Sequence, residues 1–551
     1  MLAEWSVLSP KEKIEASKMV YNHILSLASD LFQRADEERN AVKTADEALD
    51  YIRGVRSRFR ELVGWMPDVK DPPQAQRVGL IKKDAYNLEK LIYESLPGLH
   101  IPAHLYIPKR EEKPPVILFI SGHWAKAKAE PFHQKVASRF AKNGLAVFFY
   151  DPYSQGERIQ YYDPWRMDSR IGGSTSEHTY TGLQALLVGS SMAALMILDA
   201  VRAIDYLEGR DDLDATRLGC TGASGGGTLT SYMMTFDDRV KAAVPVCYLC
   251  TRGRWLKVGG WADAEQNINC AFRWIDQSDF CVAMAPKPLL IGAARYDFFP
   301  IDGTLEIYRR AEKFYRLLGA EDKLKIHIAE EEHGYHTGTA RAACRWFLKW
   351  LAGREDDVDD YELVSTREED LWCCPRGQVH SLGGLRGVGI VKFRAERLAK
   401  LRRPTLDRDE FSKQLRNLLK IDRGLVVAQE ATVKESLEVK GGVLKKVMLR
   451  PEPGIILPGI LLEPSRPKGS ALIVDGSGKD GSRGLAEDYF RESHRVLSID
   501  LRGVGETLGE TPSHPQKDQL PIEFFNLFNY AMACRTYLGS RLLDVLASLN
   551  Y

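Results

Sequence analysis

Residues 115–151 read "PVILFISGHWAKAKAEPFHQKVASRFAKNGLAVFFYD". The opening "PVILFISG" and the closing "LAVFFYD" are unbroken apolar runs of strand length, and the stretch from about Pro131 to Asn143 has helical spacing. Strand, crossover helix, strand is the unit of a parallel sheet covered on both faces, so the chain is of the α/β class. Upstream, "KLIYESLPGLHIPAHLYIP" has period two and reads as strands joined at Pro97-Gly98. Residues 1 to about 70, as in "IEASKMVYNHILSLASDLF", alternate charged and apolar groups at helical spacing and read as an amphipathic helical segment.

The composition fits a globular protein of several domains: 551 residues, 44% hydrophobic and 27% charged. Lys and Arg number 76 against 75 Asp and Glu, a net charge of +1. No bulk field recruits nucleic acid or an acidic membrane, so the expected partner is small or neutral. Nine cysteines spread over this length argue against a disulfide framework, and Cys247 and Cys250 in "CYLC" read as buried small hydrophobes. The start "MLAEWSVLSPKEK" has no secretory apolar core, which makes the cytoplasm the default location unless a leader has been removed. The uncharged stretch 181–198 is interrupted by Gly189-Ser190-Ser191 and reads as buried helix, not a membrane span.

The corner "AVFFYDPYSQGER" (146–158) returns as "VLSIDLRGVGET" (496–507), and the likeness extends around it. "GLHIPAHLYIPKREEKPPVILFISG" from Gly98 aligns with "GIILPGILLEPSRPKGSALIVDGSG" from Gly454, and "LDAVRAIDY" ending at Tyr206 with "LDVLASLNY" ending at Tyr551. An internal duplication is expected. Because Asp151, Gly156 and Glu157 recur as Asp500, Gly505 and Glu506, their role reads as structural.

The chemistry lies beyond the repeated part. "RLGCTGASGGGTLTSYMM" (217–234) holds Gly222-Ala223-Ser224-Gly225-Gly226, a pattern that presents a serine hydroxyl on a tight turn between strand and helix. Downstream, "KPLLIGAARYDFFP" is an apolar strand followed by Asp297, and "LKIHIAEEEHGYH" a strand whose loop carries His333. Ser, Asp, His in that order, each after a strand, suits a nucleophile at the carboxyl edge of a parallel sheet. Ser224 is the expected nucleophile, His333 its base and Asp297 the acid that orients it, with His336 and Asp302 as the runners-up.

With these residues in view, the sequence resembles the α/β-hydrolase superfamily, and within it the acetyl xylan esterase and dienelactone hydrolase-like branch. The likeness rests on "FISGHW", "DPYSQGER", "EHTYTGLQALLVG", "ILDAVRAIDYL", "GASGGG", "ARYDFFP" and "EEHGYH", over about 77–353. It implies an N-terminal helical segment (1–76), a catalytic domain with a doubly wound, mostly parallel sheet (77–353), a linker (354–406) and a partial second α/β-hydrolase-like domain (407–551). The second copy ends before its own nucleophile, so no catalysis is expected from it. Its open sheet edge implies packing on the first domain or a homodimer.

The oxyanion donors are expected to be the backbone N–H groups of Gly225 and His123, with Trp124 next in line. Trp124, Trp255, Trp261 and Trp274 are candidates for binding substrate, with core packing the equal alternative for the last three, and no metal or cofactor is expected. The implied activity is hydrolysis of carboxylic esters, on acetylated carbohydrate or another small ester. The alternatives are a serine peptidase of the prolyl oligopeptidase kind and a non-catalytic scaffold.

Overall fold

The period-two region folds as three antiparallel strands, β1 (Ala75–Lys82), β2 (Tyr86–Leu96) and β3 (Leu99–Pro108). The apolar runs that follow become β4 (Pro115–Ile120) and β5 (Ala146–Tyr150), paired in parallel and buried at every residue. Strands β6 (Asp214–Ala223), β7 (Val240–Val246), β8 (Leu289–Ala294) and β9 (Leu324–Ala329) complete a nine-stranded sheet ordered β1-β2-β3-β5-β4-β6-β7-β8-β9. From β5 to β9 all neighbours are parallel. The computed structural model describes residues 4–260, 263–358, 365–402, 407–421, 430–510 and 521–551.

Crossovers include helices α1 (Pro131–Lys142), α2 (Ser174–Leu186), α3 (Met192–Glu208) and α4 (Gly225–Phe236), and α5 (Thr337–Ala352) follows β9. Ile117 and Phe119 of β4 share one cluster with Val136 and Phe140 of α1 and Phe347 of α5. The alternate residues Val116, Leu118 and Ile120 point to the other face and are equally buried, as a sheet covered on both sides requires. The chain leaves β4 toward β5 on one side while β6 lies on the other. The carboxyl ends of β4 and β6 therefore flank the crevice where ligands bind in open α/β sheets.

The uncharged stretch 181–198 is broken between α2 and α3, where Gly189 takes φ +71° and the Ser191 hydroxyl caps α3. Among the described residues no helix is long and apolar enough to cross a membrane.

The chain divides into a larger unit, Arg34–Arg402, and a smaller one that joins Met1–Gln33 to Arg403–Tyr551. The helical segment expected at 1–76 is thus shared out: helix Pro10–Ser17 belongs to the smaller unit, helix Ala45–Val63 to the larger. Most of the expected linker 354–406 also lies in the larger unit. The smaller unit carries strands β10 (Glu430–Val439), β11 (Gly442–Arg450), β12 (Leu457–Pro464), β13 (Gly469–Val474) and β14 (His494–Ile499), ordered β10-β11-β12-β14-β13. Order and strand directions repeat those of β1 to β5. Trp5 and Val7 are buried in this unit's core beside Leu444 and Ile460.

The recurring corner has the same physical content in both units. Behind β5, the buried Lys128 ammonium pairs with Asp151 and lies 2.6 Å from Glu157. Behind β14, Lys479 lies 2.6 Å from Asp500 and pairs with Glu506. Gly156 (φ +56°) and Gly505 (φ +58°) turn the chain where a Cβ would sit 2.6 and 2.3 Å from the Asp carboxylate, so only glycine fits. Each Glu then reaches outward. Glu157 accepts from the N–H groups of Cys373 and Cys374, and Glu506 from those of Val7 and Leu8.

A neighbouring Arg–Asp ion pair occurs in both units, with the arginine at a different place in the corner. Arg158 meets Asp199 at 2.7 Å, and Arg502 meets Asp544 at 2.9 Å. In the alignment Arg502 stands at the position of Tyr153, not of Arg158.

Candidate active site

Strand β6 ends in Ala223 and α4 begins at Gly225, so Ser224 alone makes the turn. It does so at φ +58°, ψ −122°, a conformation that costs a non-glycine residue of the order of 1–3 kcal/mol. Its N–H donates to Val246 O of β7 at 3.0 Å, and the flanking glycines let the turn pass close to β4. A Cβ on Gly222 would sit 2.3 Å, and one on Gly226 2.1 Å, from the carbonyl oxygen of Ile120. Gly226→Ala is therefore expected to push the turn off β4, at about 1–3 kcal/mol of stability, read as a lower urea midpoint. Covalent labelling of Ser224 should slow in the same variant.

Asp297 follows β8 and His333 follows β9, and the structure brings them together: His333 Nδ1 lies 2.8 Å from Asp297 Oδ1. Phe299 N–H also donates to that oxygen at 3.1 Å, which fixes the carboxylate. The runners-up are engaged elsewhere. His336 Nε2 donates to Glu332 O, and Asp302 accepts from Gly303 N–H and pairs with Arg254. Cys247 lies beside Asp297; burial and that carboxylate push its thiol up to about 12, so it stays protonated.

The loop after β4 closes over the serine. A Cβ on Gly122 would sit 2.9 Å from Ser224 Cβ and 2.3 Å from the Trp124 ring. The Trp124 ring is in turn stacked with His333, centroids 6.2 Å apart and planes within 15°. Trp124 thus links the surroundings of the serine to those of the histidine. Its N–H is taken by Gly122 O at 2.8 Å, whereas the N–H of His123 has no acceptor among the described residues. Gly225 opens α4, where the first N–H groups have no partner within the helix and the helix dipole is positive.

Phe298 is 57% exposed and packs on His333 with ring centroids 4.2 Å apart; sequence reading passed over it, although it adjoins Asp297. Trp255 packs on Phe298 and Phe299 at 6.0 and 4.6 Å, one ring further out. Trp274 carries the guanidinium groups of Arg58 and Arg273 on its ring. Trp261 lies outside the described residues.

The largest group that sequence reading missed surrounds the His123 side chain. His123 Nε2 lies 3.3 Å from Asp263 Oδ2 and 3.4 Å from Glu265 Oε1, and His178 Nδ1 lies 2.8 Å from the same Asp263 oxygen. Desolvation alone would lower the basicity of His123, but the carboxylates of Glu265 and Asp263 overcome it and push the imidazole up to about 9. Desolvation likewise opposes the charging of His178, and Asp263 raises it nonetheless. The stretches that supply these groups, "STSEHTYTG" and "WADAEQN", carry no local pattern that joins them.

Residues 75–281 match the acetyl xylan esterase (AXE1) family. The Bacillus subtilis (strain 168) protein named "Putative hydrolase YtaP" is 25% identical over 304 residues, 54% of this chain and 98% of its own length. Among solved structures, Methylesterase BT1017 superposes with a TM-score of 0.55 at 19% identity, covering 68% of this chain and 80% of its own. A glucuronoyl esterase from Solibacter usitatus gives 0.41 at 16% identity, covering 56% and 93%. The fold is that of the α/β hydrolases.

Proposed function

We propose that the larger unit, whose residues 75–281 match the acetyl xylan esterase family, hydrolyses esters through a triad of Ser224, His333 and Asp297. The observation that carries this reading is the His333–Asp297 pair at 2.8 Å, on loops that end at the same sheet edge as the strained Ser224 turn. With Nδ1–H held by Asp297, the His333 Nε2 lone pair is free to take the serine proton while Oγ attacks the ester carbonyl. Asp297 stabilises the imidazolium that forms. The N–H groups of Gly225 and His123 receive the oxyanion, each worth about 3–4 kcal/mol when removed singly. His333 then protonates the leaving alcohol and activates the water that releases the acid.

The substrate class we assign is a small ester, acetylated carbohydrate first. Support comes from the rings of Trp124 and Phe298 beside the base, apolar surfaces of the kind that take sugar faces and short acyl groups. The test is hydrolysis of acetylated xylan, a feruloyl ester and aryl acetates against a proline-containing peptide. Ester cleavage without peptide cleavage is expected; the reverse would sink the reading.

We also assign catalysis to the larger unit alone and read the two sheets as copies. Among the described residues the smaller unit has five strands and none that matches β6. A chain of residues 34–402 is expected to keep ester hydrolysis within a few-fold of the full chain, as kcat/KM per folded molecule. Truncation at Gly353 would instead remove the Cys373 and Cys374 N–H groups that satisfy Glu157.

A further inference from the structure

Four ligand atoms from three separate segments meet beside the nucleophile turn: Nε2 of His123, Nδ1 of His178, and one carboxylate oxygen each from Asp263 and Glu265, all within 4.8 Å of one another. We propose that this cluster is a site for a divalent cation of the zinc type, bound by two imidazoles and two carboxylates.

Three observations favour a cation over a set of hydrogen bonds. The first is tautomer. His178 Nε2 lies 2.9 Å from the carbonyl oxygen of Tyr153, which can only accept, so Nε2 carries the proton. In the neutral ring the Nδ1 lone pair then faces Asp263 Oδ2 at 2.8 Å, an acceptor against an acceptor. A backbone carbonyl that holds the far nitrogen of an imidazole is the usual support of a metal ligand.

The second is charge. With neutral rings and no cation, the carboxylates of Asp263 and Glu265 leave two uncompensated negative charges beside the fully buried His178. With neutral rings, two carboxylates and one divalent ion, the cluster sums to zero. The third is geometry. Metal–ligand distances near 2.0–2.1 Å in a tetrahedron place ligand atoms about 3.3–3.4 Å apart. The His123–Asp263 and His123–Glu265 separations are 3.3 and 3.4 Å, long for hydrogen bonds and right for tetrahedron edges. Glu265 is fully buried, and its Oε2 has no hydrogen-bond partner among the described residues.

The ligand set selects the metal. Imidazole with carboxylate in a four-ligand cluster suits zinc better than calcium or magnesium, which take six or more oxygens. A Cβ on Gly225 would sit 3.0 Å from both Glu265 Oε1 and the His123 ring. An ion here would therefore fix the loop that offers the His123 N–H to the oxyanion. This departs from the metal-free site that the sequence implies, and binding does not depend on the ester reading being correct.

The test is titration of the chelator-stripped full chain with Co²⁺. A visible band of tetrahedral intensity, saturating at one equivalent and displaced by Zn²⁺, is expected. Glu265→Gln and His178→Ala should each weaken binding at least about 100-fold, beyond what loss of a supporting group costs. Cys247→Ala separates this site from the group formed by Cys247, Asp297 and His333, and the band should survive it. X-ray absorption at the zinc edge of the wild-type protein needs no variant, and it should show a nitrogen and oxygen shell with two imidazoles. No bound metal, a sulfur ligand, or binding lost in Cys247→Ala but kept in Glu265→Gln would overturn the proposal.

Discussion

Replacing Ser224 by alanine is expected to lower kcat for ester hydrolysis on the order of 10⁴-fold or more, with KM little changed. A fluorophosphonate should label the wild-type protein at Ser224 and leave Ser224→Ala unmodified. The size follows from the cooperation of the three groups: without the hydroxyl neither the base nor the oxyanion donors have a covalent step to accelerate. His333→Ala should fall in the same range, and the double variant should be no worse than either single one, since the residues act as a unit. Folding should survive the serine substitution, because Ser224 holds the turn through its backbone and the hydroxyl is not a structural donor among the hydrogen bonds described. Labelling that persisted in Ser224→Ala would place the nucleophile elsewhere.

Lys128→Met should destabilise the larger unit by about 3–5 kcal/mol, because it strands two carboxylates in the interior. The Lys128 side chain is 2% exposed, and those of Asp151 and Glu157 0% and 4%. Burial alone would discharge the ammonium; the two carboxylates outweigh it and hold Lys128 charged. Exposed pairs such as Arg491 with Asp488 should by contrast be worth about 0–1 kcal/mol. The reading is the urea midpoint of residues 34–402. Substituting Lys128, Asp151 and Glu157 together by apolar residues of similar volume should recover part of the loss. A single Lys128→Met variant as stable as wild type would show the corner to be ornamental.

Sequence alone reached the strand order's raw material and the serine turn, because both are written locally. "PVILFISG" and "LAVFFYD" state their burial in consecutive residues, and Gly222 and Gly226 announce a close approach that the Ile120 carbonyl explains. Asp297 and His333 were legible for the same reason, each following an apolar run. The His178, Asp263 and Glu265 group was not. His178 stands 85 residues before its partner Asp263, and sequence gives no sign of which turn will face which. Helical spacing likewise identified Pro10–Ser17 as amphipathic but not the sheet whose unit it joins. Arg158 and Arg502, which do not align, each meet an aspartate in their own unit, so alignment of the two corners hides a contact both contain: the carboxylate fixes where a guanidinium must arrive, not where it must start.

The two outward-reaching glutamates set a timetable for synthesis. Glu157 is answered by Cys373, 216 residues later, whereas Glu506 is answered by Val7 and Leu8, made some 498 residues earlier. At about 5–20 residues per second, the first gap is roughly 10–45 s of ribosome time and the second roughly 25–100 s. The hydrolase unit can therefore close while the smaller sheet does not yet exist. Throughout that interval Trp5, Val7 and Met19, all buried in the finished protein, have nothing to bury against.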